Sequence, residues 1–147
     1  MPFVIKAEIT DPHAESFDFP ATKTMYGGKR VAAGDEIFIF ASENSGGTGL
    51  LAAGVVTAAR ALPRTKGVAR ETPRVNVTIR RTADAARPLG RRELKSFTDW
   101  DDERPETELN FKFYRQATDK LVGISPSTAA FLRRCCATTR PSLNAKA

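Results

Sequence analysis

The chain has 147 residues with 23 Lys and Arg against 17 Asp and Glu, a net charge of +6 and a pI near 9.7. That length is one domain with room for its own core, and 41% hydrophobic with 27% charged residues is a globular composition. No apolar run reaches the roughly 18 residues of a membrane-spanning helix, and the start Met1-Pro2-Phe3-Val4-Ile5-Lys6 has neither the basic segment nor the long apolar stretch of a secretion signal.

Phe3, Ile5, Ala7 and Ile9 alternate with Val4, Lys6 and Glu8, which predicts a first strand. Residues 37–41 and 50–59 read as the second and third strands, joined by the polar run Ser42-Glu43-Asn44-Ser45 and the glycines Gly46, Gly47 and Gly49. Asp35, two residues ahead of the second strand, reads as a turn aspartate. Residues 63–73, rich in Thr, Gly and basic side chains, predict a flexible loop. Val75, Val77 and Ile79 then alternate with Arg74, Asn76, Thr78 and Arg80 in a half-buried strand. Pro88-Leu89-Gly90 predicts a turn into a short helix over Arg91-Arg92-Glu93-Leu94. Residues 111–116 and 120–124 complete a set of five or six short strands. Ser125 reads as the N-cap of a last helix, with Pro126 at its first position. The sum is an α+β chain, a small mixed β-barrel with peripheral helices over residues 1–137, followed by a disordered basic tail, 138–147.

The two cysteines are adjacent, Cys135 and Cys136. Consecutive Cα atoms, about 3.8 Å apart, are too close for an unstrained disulfide, so two free thiols and a reducing, cytoplasmic setting are expected. One histidine, His13, leaves no Ser/His/Asp triad and no metal site, and Gly46-Gly47-Thr48-Gly49 lacks the Lys-Ser/Thr of a phosphate loop. No cofactor is expected.

Charge is segregated. Residues 60–95 hold eleven Lys/Arg against three acids, a net +8, whereas residues 99–108 hold six acids against Arg104, a net −5. A basic stretch of this kind fits a polyanion, DNA or RNA, with Arg60, Arg64, Lys66, Arg70, Arg80, Arg81, Arg91 and Arg92 as candidate phosphate contacts. Trp100, stranded in Thr98-Asp99-Trp100-Asp101-Asp102, needs a packing partner, either the core or the mouth of a pocket. The hairpin around Ser42, Glu43 and Asn44 brings a hydroxyl, a carboxylate and an amide close to glycine backbone, as small-ligand pockets do.

The order of these landmarks, Gly34-Asp35-Glu36-Ile37-Phe38-Ile39-Phe40, Gly49-Leu50-Leu51-Ala52-Ala53-Gly54-Val55-Val56, the strand over 74–81, Leu89-Gly90-Arg91-Arg92-Glu93-Leu94-Lys95 and Leu121-Val122-Gly123-Ile124-Ser125-Pro126, resembles the EVE domain. That family is a branch of the PUA-like superfamily that also holds YTH and ASCH domains, and the likeness spans roughly residues 3 to 134. The resemblance implies a barrel whose pocket accepts a flipped, often modified, nucleobase. By position it implies Met25, Tyr26, Ser42, Glu43, Asn44, Trp100 and Tyr114 as the base pocket. EVE and YTH domains usually carry an early tryptophan, and here the single tryptophan is Trp100. The ASCH signature Gly-x-Lys-x-x-Glu-x-Arg is broken: in Gly27-Gly28-Lys29-Arg30-Val31-Ala32-Ala33-Gly34, alanine and glycine replace its glutamate and arginine. The leading expectation is therefore a non-catalytic nucleic-acid reader. A small ASCH-like amidohydrolase or deaminase using Lys23 or Lys29 with Glu43, and a protein-interaction module, are the alternatives.

Overall fold

Two strands that are apolar at nearly every position set the plan of the structure, a computed structural model describing residues 1–63, 67, 72–115 and 118–137. β1 (Phe3–Ala7) and β3 (Glu36–Ala41) run parallel, Phe3 opposite Ile37 and Ala7 opposite Ala41. Strands covered on both faces carry continuous hydrophobic runs, and Phe3, Val4, Ile5 and Ile37, Phe38, Ile39, Phe40 are all buried. The other strands are β2 (Ser16–Met25), β4 (Gly49–Ala61), β5 (Arg74–Ala85), β6 (Lys120–Gly123) and the two-residue β7 (Cys136–Ala137). They pair in the order β2-β6-β1-β3-β4-β5, and β5 pairs back onto β2, so six strands close a mixed barrel with β7 added to β5. The expected small barrel with peripheral helices is thus the architecture observed.

The core divides in two. Phe3, Ile5, Phe19, Ile37, Ile39, Val77 and Ile79 belong to a cluster drawn almost wholly from strands, the barrel interior. Val4, Phe38, Phe40, Leu94, Leu109, Phe113 and Leu132 form a second cluster shared by strands and helices, on the barrel's outer wall. The helices are α1 (Arg91–Leu94), α2 (Pro105–Leu109) and α3 (Pro126–Arg134). Among the described residues no helix is long and apolar enough to cross a membrane.

Three local features differ from the sequence reading. Residues 111–115 are not a strand: α2 continues as a π-helical turn (Asn110–Tyr114), closed by the Arg115 N–H on the Asn110 carbonyl at 2.8 Å. Leu109 and Phe113, four apart, bury one stripe of that helix. β2 was not expected, because Pro20 interrupts its alternation; the strand tolerates it by a bulge between Phe19 and Thr22, with Ala21 at φ 51°. The tail 138–147 and most of the loop 63–73 lie outside the described residues. The hairpin glycines have a steric reason. Gly49 sits at φ 93° where a Cβ would come within 2.3 Å of the Leu89 carbonyl oxygen, and this close approach docks the segment before α1 onto β4.

One carboxylate fastens the helical layer. Glu108 accepts from Lys112 Nζ at 2.7 Å, Ser125 Oγ at 2.8 Å, the Ser125 N–H at 3.2 Å and Thr128 Oγ1. Ser125 Oγ itself caps α3 by accepting the Thr128 N–H at 3.2 Å. Burial alone would raise the Glu108 carboxyl, but the bonds from Lys112, Thr128 and Ser125 outweigh it and hold the group below the ordinary glutamate range. Its folded pKa lies below the unfolded one, so its contribution is present above about pH 4.3 and is lost as pH falls through the folded value. Glu108→Gln should lower stability by about 2 kcal/mol at pH 7. It should also flatten the acid limb of a plot of Tm against pH; an unchanged acid limb would remove Glu108 as its source.

Candidate functional site

The parallel strands β1 and β3 both end at one mouth of the barrel, where a cavity of about 630 Å³ opens. Lys6, Ala7 and Glu8 from the end of β1, Ser42, Asn44 and Ser45 after β3, and Thr118 and Asp119 before β6 form one side. The β2 bulge, from Phe19 through Lys23, and Arg74 at the start of β5 form the other. The bulge is held from outside: the Ala21 N–H donates to Asn76 Oδ1 at 2.8 Å, and Arg74 Nη1 donates to the Ala21 carbonyl at 2.7 Å. A non-glycine residue at positive φ is strained, and such strain persists where neighbours over-determine it. Here it turns Thr22 and Lys23 to the rim.

Two features of the mouth are chemically unusual. Ser42 Oγ is fully buried and has no hydrogen-bond partner among the described residues, although buried polar groups are as a rule paired. Lys6 and Lys120 are register partners on β1 and β6, and each is only 1% exposed. Lys6 Nζ donates to the Phe113 carbonyl at 2.9 Å and faces the Tyr114 ring at 5.1 Å. Burial lowers the Lys6 pKa; Arg91 adds to the effect, while Asp119 and Glu43 oppose it. Burial and then Lys6 push Lys120 down to about 8. Behind this pair, the Tyr114 ring is sandwiched between Lys6 and the Arg91 guanidinium, 5.1 Å away. Its phenol is driven far above the ordinary range by burial and then by the adjacent Glu43, without forming a well-shaped hydrogen bond to it.

The seven residues assigned to one pocket therefore separate. Ser42 and Asn44 line the mouth. Glu43 turns toward the helical layer and accepts the Arg91 N–H at 3.1 and 3.3 Å, fixing the start of α1. Tyr114 is buried in the outer core. Trp100, 42% exposed, lines a different cavity of about 400 Å³ with Phe111, Glu103, Arg104 and Thr107. Tyr26 also packs on Phe111, its ring 6.1 Å away, while the Trp100 ring lies 5.4 Å from Phe111. Met25 is exposed next to Tyr26. An i+1 neighbour in a tight turn faces away, and the helical segment carrying Phe111 has Trp100 and Tyr26 beside it, so the residues expected to share a base pocket stand at different places in the structure.

Of the phosphate candidates, Arg60, Arg80, Arg91 and Arg92 are exposed, and Arg60 is the register partner of Asn76 behind the bulge. Arg81 is not available. It is buried, pairs with Asp84 at 2.7 Å, donates to the Pro12 carbonyl and stacks its guanidinium 5.4 Å from the Phe17 ring. Arg64, Lys66 and Arg70 lie outside the described residues. Lys29 sits in a short turn (Gly28–Arg30), and Asp35 accepts the Ala32 N–H at 2.9 Å as a turn aspartate does. Both cysteines are free thiols, and Cys135 Sγ accepts from Arg87 at 3.1 and 3.3 Å.

Sequence reasoning missed Lys6, Glu8, Phe19, Thr22, Arg74 and Asp119 at the mouth, and named Lys23 only for the hydrolase alternative. For Lys6 a signal existed: a lone lysine in a strand otherwise apolar on both faces.

No family model matches the chain, and no curated protein matches it in sequence. Solved structures do match in fold. The DUF55 domain of human thymocyte nuclear protein 1 aligns with a TM-score of 0.61 at 14% identity, over 89% of this chain and 95% of that one. A hypothetical protein from Leishmania major aligns at 0.58 and 16% identity, over 90% and 92%. A protein from Pseudomonas putida aligns at 0.58 and 15% identity, over 92% and 99%. The shared feature is the fold, a small α+β barrel with peripheral helices, in line with the fold that the sequence resemblance implies.

Proposed function

We propose that this PUA-like barrel is a nucleic-acid-binding module whose mouth receives a nucleobase turned out of its strand. The observation that carries the reading is the mouth itself: a cavity of about 630 Å³ with the unpartnered Ser42 hydroxyl and the Asn44 amide on its wall. A base edge offers both donors and acceptors to such groups, and cavities of about 300–1,000 Å³ are the ordinary size for small ligands. Phe19 is the aromatic ring that lines this cavity, which makes it the stacking candidate in place of Trp100. Exposed Arg60, Arg80, Arg91 and Arg92 supply charge for the phosphate backbone.

The reading is one of binding rather than turnover. Lys23 lines the mouth, but Glu43 is engaged at the start of α1 and Lys29 stands on a separate turn, so the lysine–glutamate pairing of a hydrolase is not assembled.

A binding screen tests the proposal, using short single- and double-stranded DNA and RNA with a 2-aminopurine beside each of several modified bases. Binding that weakens steeply with salt, with 2-aminopurine brightening as its neighbour leaves the stack, is the expected result. Trp100→Ala should change affinity by no more than about twofold, as for a site independent of the mouth. Indifference to every oligonucleotide would sink the reading, and a large loss in Trp100→Ala would move the base site to the second cavity.

A further inference from the structure

Lys6, on the wall of the mouth, and Lys120 beside it on β6 pose an electrostatic problem. Lys6 and Lys120 stand opposite each other on adjacent strands, both almost fully shielded from water. A buried ammonium is stable only when paired and hydrogen-bonded. Lys120 Nζ donates to the Thr118 carbonyl at 3.2 Å. Lys6 has one backbone carbonyl and two aromatic faces, and it makes no ion pair among the described residues. An ammonium carries three donors, so Lys6 keeps donor capacity unused. Ser42, whose buried Oγ has no partner among the described residues, lines the same cavity as Lys6.

Resting on the mouth as the binding site and deepening that reading, we infer that its ligand bears an anionic oxygen, from a phosphate or a carboxylate, seated between Lys6 and Ser42. Such an oxygen gives Lys6 the counter-charge it lacks and gives Ser42 an acceptor. It also relieves the repulsion between the two lysines. Lys23, which has no ion-pair partner among the described residues, and Arg74 stand at the rim of the same cavity. The acids facing the lysine pair are Asp119, in the loop ahead of β6, and Glu43, in the turn after β3, and Arg91 of α1 adds a cation. Glu43 already serves α1, and the carboxylates on the cavity wall among the described residues are Asp119 and the exposed Glu8. The lowered pKa of Lys120, about 8, adds a pH signature. Raising pH through that value removes the charge of Lys120 beside the seat, so affinity for an anion should fall there, while affinity for a neutral nucleoside has no reason to.

The test is calorimetric titration of the full chain with four probes: uridine, uridine 5′-monophosphate, 5-carboxyuridine and inorganic phosphate. One or both charged nucleosides should bind at least about tenfold tighter than uridine at pH 7, the scale of charge-assisted hydrogen bonds. The advantage should shrink between about pH 7 and pH 9 and should disappear in Lys6→Met, an apolar replacement of similar length. Lys120→Met is the second variant should Lys6→Met fail to fold. A preference for the monophosphate assigns the oxygen to phosphate, and a preference for 5-carboxyuridine assigns it to the base. Equal binding of all three nucleosides overturns the inference and leaves the base-binding reading standing. Lys6-dependent binding of inorganic phosphate with no gain from any nucleoside keeps the anion seat and overturns the base reading. A charge preference that survives both lysine variants also overturns the inference, because the rim cations would then suffice.

Discussion

Changing Arg60, Arg80 and Arg92 together to glutamate should weaken nucleic-acid binding at least about tenfold near 100 mM salt, and should flatten the salt dependence by roughly 2–3 in log–log slope. All three are exposed and none takes part in an ion pair among the described residues, so the fold should stay intact, each change lying within about 0.5 kcal/mol. Arg81→Glu should behave in the opposite way. It removes a buried cation from Asp84, from the Pro12 carbonyl and from the face of Phe17, and it places a carboxylate beside Asp84. Breaking a buried pair from one side costs about 3–5 kcal/mol, a drop in Tm on the order of 10 °C. Fluorescence anisotropy at several salt concentrations reads the first effect, and a thermal melt reads the second. Unchanged affinity in the triple variant would take these arginines out of the interface.

The contrast between Arg80 and Arg81 shows where sequence reading stops. Adjacent residues on a strand face opposite sides, and the alternation of Val75, Val77 and Ile79 with Arg74, Asn76, Thr78 and Arg80 was legible. It continues unbroken through Arg81 and Ala83, both buried, with Arg80 and Thr82 exposed, so period two already puts Arg81 on the inner side. What it does not show is how a buried arginine is satisfied, because the Phe17 ring on β2 and the Pro12 carbonyl that meet it are far away in sequence. The barrel, by contrast, followed from local signals. The apolar runs of β1 and β3, the glycine hinge before β4, the short α1 and the Ser125-Pro126 start of α3 each announce themselves within a few residues. β2 did not, since Pro20 hid a strand that only the bulge accommodates, and with it went Phe19 and Thr22 of the mouth. The 111–115 segment misled in another way. Phe111, Phe113 and Tyr114 have strand-forming side chains, but the helix begun at Pro105 carries through them, because Leu109 and Phe113 bury together only at helical spacing. The candidate site was half legible: Ser42 and Asn44 could be read from the hairpin, whereas the wall opposite them is assembled by tertiary pairing.

The Ser42 hydroxyl provides the sharpest separation of function from folding. Ser42→Ala removes a buried group that has no partner among the described residues, so stability should stay level or rise by up to about 1 kcal/mol, since an unpaired hydroxyl is a burden on the folded state. If the hydroxyl is completed by ligand, its loss should lower affinity for the preferred oligonucleotide about tenfold, one hydrogen bond's worth. Adding Asn44→Ala, at an exposed position on the same cavity, should bring the loss to about a hundredfold if the two contacts act independently. A residue retained for packing gives the reverse pattern, in which stability falls and affinity holds. Thermal melts and anisotropy titrations on the same preparations distinguish the two. Ser42→Ala with lowered Tm and unchanged affinity would make Ser42 a packing element and remove the mouth's best argument for a ligand.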